Sequence, residues 1–336
     1  MFSLLTKSTT PLLGSISSVF GVIMNAIYNF FNSAFGIESL GTTIIIFTLL
    51  VRVLMLPLAI KQQKSTQEMQ FIQPQLKKIQ AKYKEKKDAE NQKKYQAEMA
   101  ALYKEHNVNP FGGCLPLVIQ LPIIFSLFAV LRNIPAYIDK VKNIYLGIYN
   151  TITGLTGVND ALLALNKTDL AAEKTAALVP KFDPASTDSI VDLLAKFSPS
   201  HWDSFTNTFA SVSTNLEPLI EKVHAMNYFF TIDLATRPIS GLSDIFTVGA
   251  LIPLLCLIAQ IFVTRTMTAK AKASSTGDNA AADQTQKTMT YMMPLITVFF
   301  VSTMPAGLGL YWLTSNVFQL VQQIVINKYV VNKKKE

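Results

Sequence analysis

The sequence predicts an all-α membrane protein: five transmembrane helices around a polar hollow, an N-terminal amphipathic helix and a cytoplasmic helical hairpin. Three observations predict it. Half of the 336 residues are hydrophobic and 15% are charged, against about 25% charged in soluble domains, and mean hydropathy is +0.30. Four apolar runs are each about long enough to cross hydrocarbon as a helix, and a fifth, shorter run accompanies them. Between them the charges fall in blocks whose sign alternates.

In chain order, residues 1–40 carry Val19, Phe20, Ile23, Ile27, Phe30 and Phe31 at helical spacing, with Ser18, Asn25, Asn29 and Asn32 on another side. That pattern predicts an amphipathic helix lying at the outer membrane surface; a spanning helix is the alternative. A cleaved signal peptide is not expected, because Lys7 is the one early charge and no small-residue site follows a clean apolar core.

Residues 41–60, GTTIIIFTLLVRVLMLPLAI, form span 1. Residues 61–110 are polar and basic, with Met69, Ile72, Leu76, Ile79 and Tyr83, then Tyr95, Met99, Leu102 and His106, stepping by three and four. KKDAENQKK separates the two stripes, so an antiparallel hairpin with a thin apolar seam is expected. Span 2 covers 111–133, an outer helical insertion 134–243, span 3 244–266 and a cytoplasmic loop 267–288. Span 4 is the short run 289–304. The Met-Pro-Ala-Gly break then turns the chain into span 5, 305–327, and a basic tail, 328–336, closes it.

Orientation follows from lysine and arginine placement. Segment 61–110 holds eleven lysines against six acids, whereas 135–243 holds eight basic residues against eleven acidic ones. The hairpin, the 267–288 loop and the tail therefore face the cytoplasm. The N-terminus and the insertion face out. Within the insertion, DPASTDSIVDLLAKF and SFTNTFASVSTNLEPLIEKVHAM predict external helices.

The composition excludes several function classes. Cys114 and Cys256 both sit in apolar runs and make no disulfide framework. His106, His201 and His224 are scattered and read as ordinary surface residues. No phosphate loop, dinucleotide motif or zinc motif is present. No enzyme, metal site or cofactor is expected. The hairpin lacks the interleaved arginines of a DNA-binding surface, although its lysines and the lysine tail suit ribosomal RNA or anionic lipid.

One residue breaks the apolar pattern. Arg52 stands inside FTLLVRVLMLPL, where a guanidinium costs roughly 2.5–3.5 kcal/mol at a helix centre. Apart from Asp244, at the outer edge of span 3 and so on the wrong side to pair with Arg52, the five expected spans contain no acid. They offer neutral polar groups: Thr48 one turn earlier, Gln120, Gln260, and on span 5 Thr314, Ser315, Asn316, Gln319, Gln322 and Gln323, of which Ser315, Gln319 and Gln322 share a face. A water-filled, electropositive hollow is expected, its counter-charge supplied by a visiting acidic group. The competing readings are that Arg52 extends to lipid phosphates, that the glutamines are interhelical hydrogen bonds, and that Tyr311 and Trp312 are interface anchors.

Several stretches together resemble the YidC/Oxa/Alb membrane protein insertases: LGTTIIIFTLLVRVLMLPL, VNPFGGCLPLVIQLPI and YMMPLITVFFVSTMPAGLGLYWLTSN, in that order. ALYKEHNVNP and FFTIDLATRP fit the same pattern. The resemblance covers about 38–134 and 227–330. It implies a five-helix core with a hydrophilic groove open to the cytoplasm and to lipid, closed to the outside. Arg52 matches the groove arginine, Thr48 the preceding threonine, and Tyr311 and Trp312 the aromatic pair of the last span. The hairpin is then the substrate-recruiting element, with Lys77, Lys78, Lys82, Lys86 and Lys87 as its basic contacts. Implied partners are nascent membrane proteins with acidic or short hydrophilic tails, the ribosome, anionic lipids and, for some substrates, the Sec translocon. Implied localisation is the bacterial plasma membrane. The chain is similar to the five-span Gram-positive form, but lacks a lipid-anchor cysteine and carries an unusual insertion of roughly 90 residues, 135–226. A small-solute transporter or anion channel with Arg52 as ligand is the alternative function, and a chaperone that only assembles membrane complexes is a third.

Overall fold

The computed structural model describes residues 7, 11–84, 88–106, 108, 115–167, 177–239, 246–272, 292 and 294–326. They are mostly helical, and the chain divides into two compact units that each draw on several sequence segments.

The first unit comprises Met1–Phe47, Pro122–Leu251 and Ser302–Tyr311. Helix α1, Pro11–Phe35, begins with a proline, which the first turn tolerates because its missing N–H would be unpaired there anyway. It ends at Gly36, whose φ of 67° is a left-handed conformation natural to glycine. The side facing protein is a stripe of Gly14, Ser17, Gly21, Met24 and Tyr28, while Leu12, Val19, Val22, Phe30 and Phe35 are exposed. Small residues inside and large apolar ones outside suit a helix packed in lipid. Ser17 Oγ donates to the Ser126 carbonyl at 3.2 Å. Phe20 meets Phe47 edge-on at 5.0 Å. Asn25, expected on a free polar face, instead donates to Asp139 Oδ2 at 2.9 Å.

Helix α2 is Leu40–Leu54, α3 Leu56–Tyr83, α4 Ala89–Glu105 and α5 Leu115–Arg132. In the insertion come α6, Asp139–Ile152; α7, Val158–Asn166; α8, Thr187–Leu194; α9, Pro199–Thr208; and α10, Ser213–Asn227. These pack as a water-soluble domain does. Helix α6 buries Val141, Tyr145, Ile148 and Ile152 on one stripe, and it packs against α8 and α10. Phe197, Trp202, Phe205 and Phe209 form an aromatic cluster with centroids 4.9–5.8 Å apart. Two buried polar side chains here are paired, as burial demands: Asn166 Oδ1 accepts from Val179 N at 2.8 Å, and Asp192 Oδ1 accepts from Asn133 Nδ2 at 2.9 Å. His201 is not a surface residue: it is 3% exposed and completes the capping box of α9 with Ser198. Burial holds its imidazole below the usual range.

A two-residue antiparallel hairpin follows, β1 Tyr228–Phe229 paired with β2 Ile232–Asp233. Helix α11, Leu251–Lys272, is entered through a 3-10 turn, Val248–Ala250. Helix α12 is Pro294–Thr303 and α13 Ala306–Ile326; Met304 and Pro305 separate them, and a proline cannot continue α12.

The second unit comprises Thr48–Leu121, Ile252–Val301 and Trp312–Glu336. In it α3 and α4 form the antiparallel hairpin around Ile72, Leu76, Leu102 and Val108, with Met69, Ile79, Met99 and Tyr103 packed on them. At the open end Lys82 pairs with Glu98. That contact raises the lysine and lowers the carboxyl relative to their ordinary values. Asp88 caps α4, accepting from Asn91 N at 2.9 Å.

Among the described residues two helices are long and apolar enough to cross a membrane, α1 and the Val248–Thr266 stretch; a third is added if α2 and the first half of α3, which meet at 60°, are one span.

Candidate functional site

The expected first span is not one straight helix. Helix α2 stops at Leu54 and α3 begins at Leu56, with Pro57 in its first turn. Proline has no N–H to give the preceding turn, and its ring clashes with the carbonyl four residues back. The run 41–60 therefore bends at Met55, and α3 continues unbroken into the hairpin. Arg52 falls in the last turn of α2, beside the bend. A cation there faces the partial negative charge of the helix C-terminus, which favours it.

Arg52 Nε donates to Ser315 Oγ at 2.7 Å, and a second guanidinium nitrogen donates to the same oxygen. A hydroxyl oxygen has two lone pairs and can accept both. Ser315 is 2% exposed, Arg52 half-buried. A neutral acceptor orients the guanidinium and leaves its charge in place.

Helix α13 carries the polar groups that surround this pair in sequence. Ser315, Asn316 and Gln323 are buried, and Gln319 is half-buried. Thr266 Oγ1 of α11 donates to Gln323 Oε1 at 2.8 Å, tying the two helices by side chains. Asn316 Nδ2 is a buried donor with no hydrogen-bond acceptor among the described residues. Such a donor is costly to leave unmade. The other side of α13 presents Val317, Val321, Ile324 and Val325 outward.

Of the expected site residues, Arg52 and Ser315 are brought into direct contact. Thr48 lies one turn before Arg52 and is fully buried. Gln120 on α5, Gln260 on α11, and Trp312 and Gln319 on α13 are half-buried in the same unit. Tyr311 belongs to the other unit, where it is 2% exposed, which fits a packed ring rather than a surface anchor. Lys78 and Lys82 are exposed on α3 and Lys77 half-buried; Lys86 and Lys87 lie outside the described residues. Asn316 and Gln323 are among the neutral polar groups that the sequence offers on span 5, and the structure buries both. Thr266 is recognisable only from its pairing with Gln323 across two helices.

The fold and this pair define a helical membrane protein that places a fixed cation and neutral amides on otherwise apolar helices. The comparisons name the class further. The family model described as "60Kd inner membrane protein" matches residues 30–187 and 202–334, so the chain belongs to the 60Kd inner membrane protein family, the YidC/Oxa/Alb family. It is 45% identical over 139 residues to "Membrane protein insertase YidC" of Clostridium perfringens, covering 40% of this chain and 56% of that protein. A protein of the same name from Fusobacterium nucleatum is 49% identical over 102 residues, 30% of this chain and 47% of that one. The one from Chloroherpeton thalassium is 30% identical over 302 residues, 90% of this chain and 35% of that one. The aligned region thus spans about half or less of these relatives' length.

Proposed function

We propose that the chain inserts other membrane proteins into the lipid bilayer, moving them from the cytoplasm through a positively charged hydrophilic groove among five spans. The single observation that carries this reading is the Arg52–Ser315 contact. It joins a permanent charge to a buried hydroxyl on helices whose outward faces are apolar, in a member of a family whose relatives are named insertases.

The hairpin, with Lys77, Lys78 and Lys82 and the neighbouring Lys86 and Lys87, receives the ribosome or the emerging chain. A short hydrophilic or acidic tail enters the groove lined by Thr48, Arg52, Gln120, Gln260, Trp312, Ser315 and Gln319. Arg52 attracts it, and the attraction strengthens as water thins. Water and side-chain amides spare the moving backbone its full desolvation cost. The substrate's apolar segment then leaves sideways into lipid, driven by burial of its apolar surface. A membrane potential adds roughly 2.3 kcal/mol per charge per 100 mV for an acidic tail. No nucleotide is hydrolysed, and the step runs with or without the Sec translocon. The protein sits in the bacterial plasma membrane with N-terminus outside and C-terminus in the cytoplasm.

A photo-reactive amino acid placed at Gln319 tests this. It is expected to cross-link a ribosome-stalled nascent membrane protein before that protein is released into lipid. Absence of cross-links there, together with saturable uptake of a small anion by reconstituted vesicles, would instead favour a transporter.

A further inference from the structure

The eleven residues from Tyr228 to Pro238 gather the N-terminal ends of three apolar helices. On α2, Phe229 lies so close to Gly41 that a Cβ there would come within 2.2 Å of its ring. At the entry to α11, Gly249 faces the Pro238 carbonyl, which a Cβ would approach to 2.7 Å. On α13, the N–H of Ala306 donates to the Thr236 carbonyl at 2.8 Å and that of Gly307 to the Leu234 carbonyl at 2.9 Å. Those two bonds satisfy helix-terminal donors that would otherwise lack partners. The segment is therefore fixed at the level where three apolar helices begin, and the beginning of an apolar helix marks the edge of the hydrocarbon layer.

At the tip of this segment stands Phe230. It is 88% exposed, and its φ of 55° is a left-handed conformation that side-chain-bearing residues disfavour. The neighbouring ring, Phe229, packs edge-on against it at 4.8 Å. Phe246, 94% exposed, lies two positions before the Val248–Thr266 stretch that is long and apolar enough to span a membrane. Two near-fully exposed phenylalanines would be costly in water, and both sit where the apolar surface of the helices starts. The surface they extend is the one that meets lipid.

We propose that Phe230 and Phe246 form a membrane-interface anchor that seats the Tyr228–Pro238 segment in the headgroup–acyl boundary of the lipid bilayer. The ring at 230 is held outward by a turn whose base is locked to α2, α11 and α13. Insertion of the ring then fixes the height of those three helix ends relative to the lipid. An aromatic body in this zone gains apolar contact without leaving the polar boundary.

The test uses the full chain, reconstituted in phosphatidylcholine vesicles with bromine atoms placed either just below the headgroup or near the bilayer centre. Phe230→Trp is compared with the parent protein, and the emission added by the new indole is followed. The expected result is blue-shifted added emission, shielded from aqueous iodide. Shallow bromines should quench it about twofold more than deep ones, matching a depth of roughly 5–10 Å. Phe246→Trp is expected to behave the same way and gives an independent reading of the surface. Red-shifted emission quenched by iodide and untouched by either lipid overturns the proposal and assigns the tip to water or to a protein partner. Stronger quenching by deep bromines overturns it too.

Discussion

The outer insertion and the helices around Arg52 are built from opposite rules. Between α6 and α10 the interior is Ile148, Ile152, Leu162, Phe205 and Leu216, all fully buried, and exposed positions such as Glu217, Glu221 and Lys222 are charged. Around α2 and α13 the interior includes Thr48, Ser315, Asn316 and Gln323, while Val53, Leu54, Val317, Val321 and Ile324 are turned out. The same twenty side chains have been sorted against two solvents. Water outside drives the aromatic cluster of the insertion inward. Lipid outside removes that drive, so small and hydrogen-bonding groups join helices instead. The polar interior that results is what allows a guanidinium to be held there at all.

The comparison breaks first at the aromatic cluster. Phe205→Ala should destabilise the insertion by about 3–5 kcal/mol, read as a lower melting temperature of its helical signal. If the loss is small, the insertion is not a packed core.

A sharper test introduces one charge on both outward faces. Val321→Lys, facing out on α13, is expected to cost about 2.5–3.5 kcal/mol, read as loss of stably integrated protein. Ala225→Lys, exposed on α10, should stay within about 0.5 kcal/mol. Equal effects at the two sites would erase the distinction between the solvents.

Much of this was legible in the sequence, and the misses have physical causes. The hairpin was read from its stripes because α3 and α4 bury one thin seam, Ile72, Leu76 and Leu102, and a seam leaves a period. Arg52 and Ser315 were both singled out as exceptions to their surroundings, but their contact joins segments 263 positions apart, beyond the reach of any local period. The bend at Met55 is hidden in the sequence because hydropathy runs smoothly through Leu54, Met55 and Leu56; only Pro57 marks it. Asn25 and Asn32 lie on the side of α1 that the sequence marks as polar, yet Asn25 bonds Asp139 and Asn32 pairs with Glu38 and Lys140. Polar side chains on one side of a helix do not reveal whether water or protein receives them.

Two weaker effects follow from charge. Because burial lowers the His201 imidazole, the unfolded chain takes up a proton more readily than the folded one. Stability of the insertion is therefore full above the ordinary imidazole pKa near 6.5 and declines as pH falls through that value toward the lowered one. Its melting temperature should drop between pH 7 and 5, and His201→Phe should flatten that dependence. The smallest effect belongs to the hairpin. Glu98 is held below its ordinary range by Lys82, so its contribution is present at neutral pH and lost as pH falls through the lowered value. The pair is exposed and screened, and Glu98→Gln is expected to leave hairpin melting unchanged within error at physiological salt.

The most direct measurement is insertion by the purified, reconstituted protein of a single-span substrate bearing either an acidic or a neutral tail. With Arg52→Ala, insertion of the acidic-tailed substrate should fall about tenfold, corresponding to about 1.4 kcal/mol; Arg52→Lys should retain most of it, and the neutral-tailed substrate should be affected less by either change. Unchanged insertion of the acidic tail by the Arg52→Ala protein, or an equal loss for both tails, would contradict a charge-based role for Arg52.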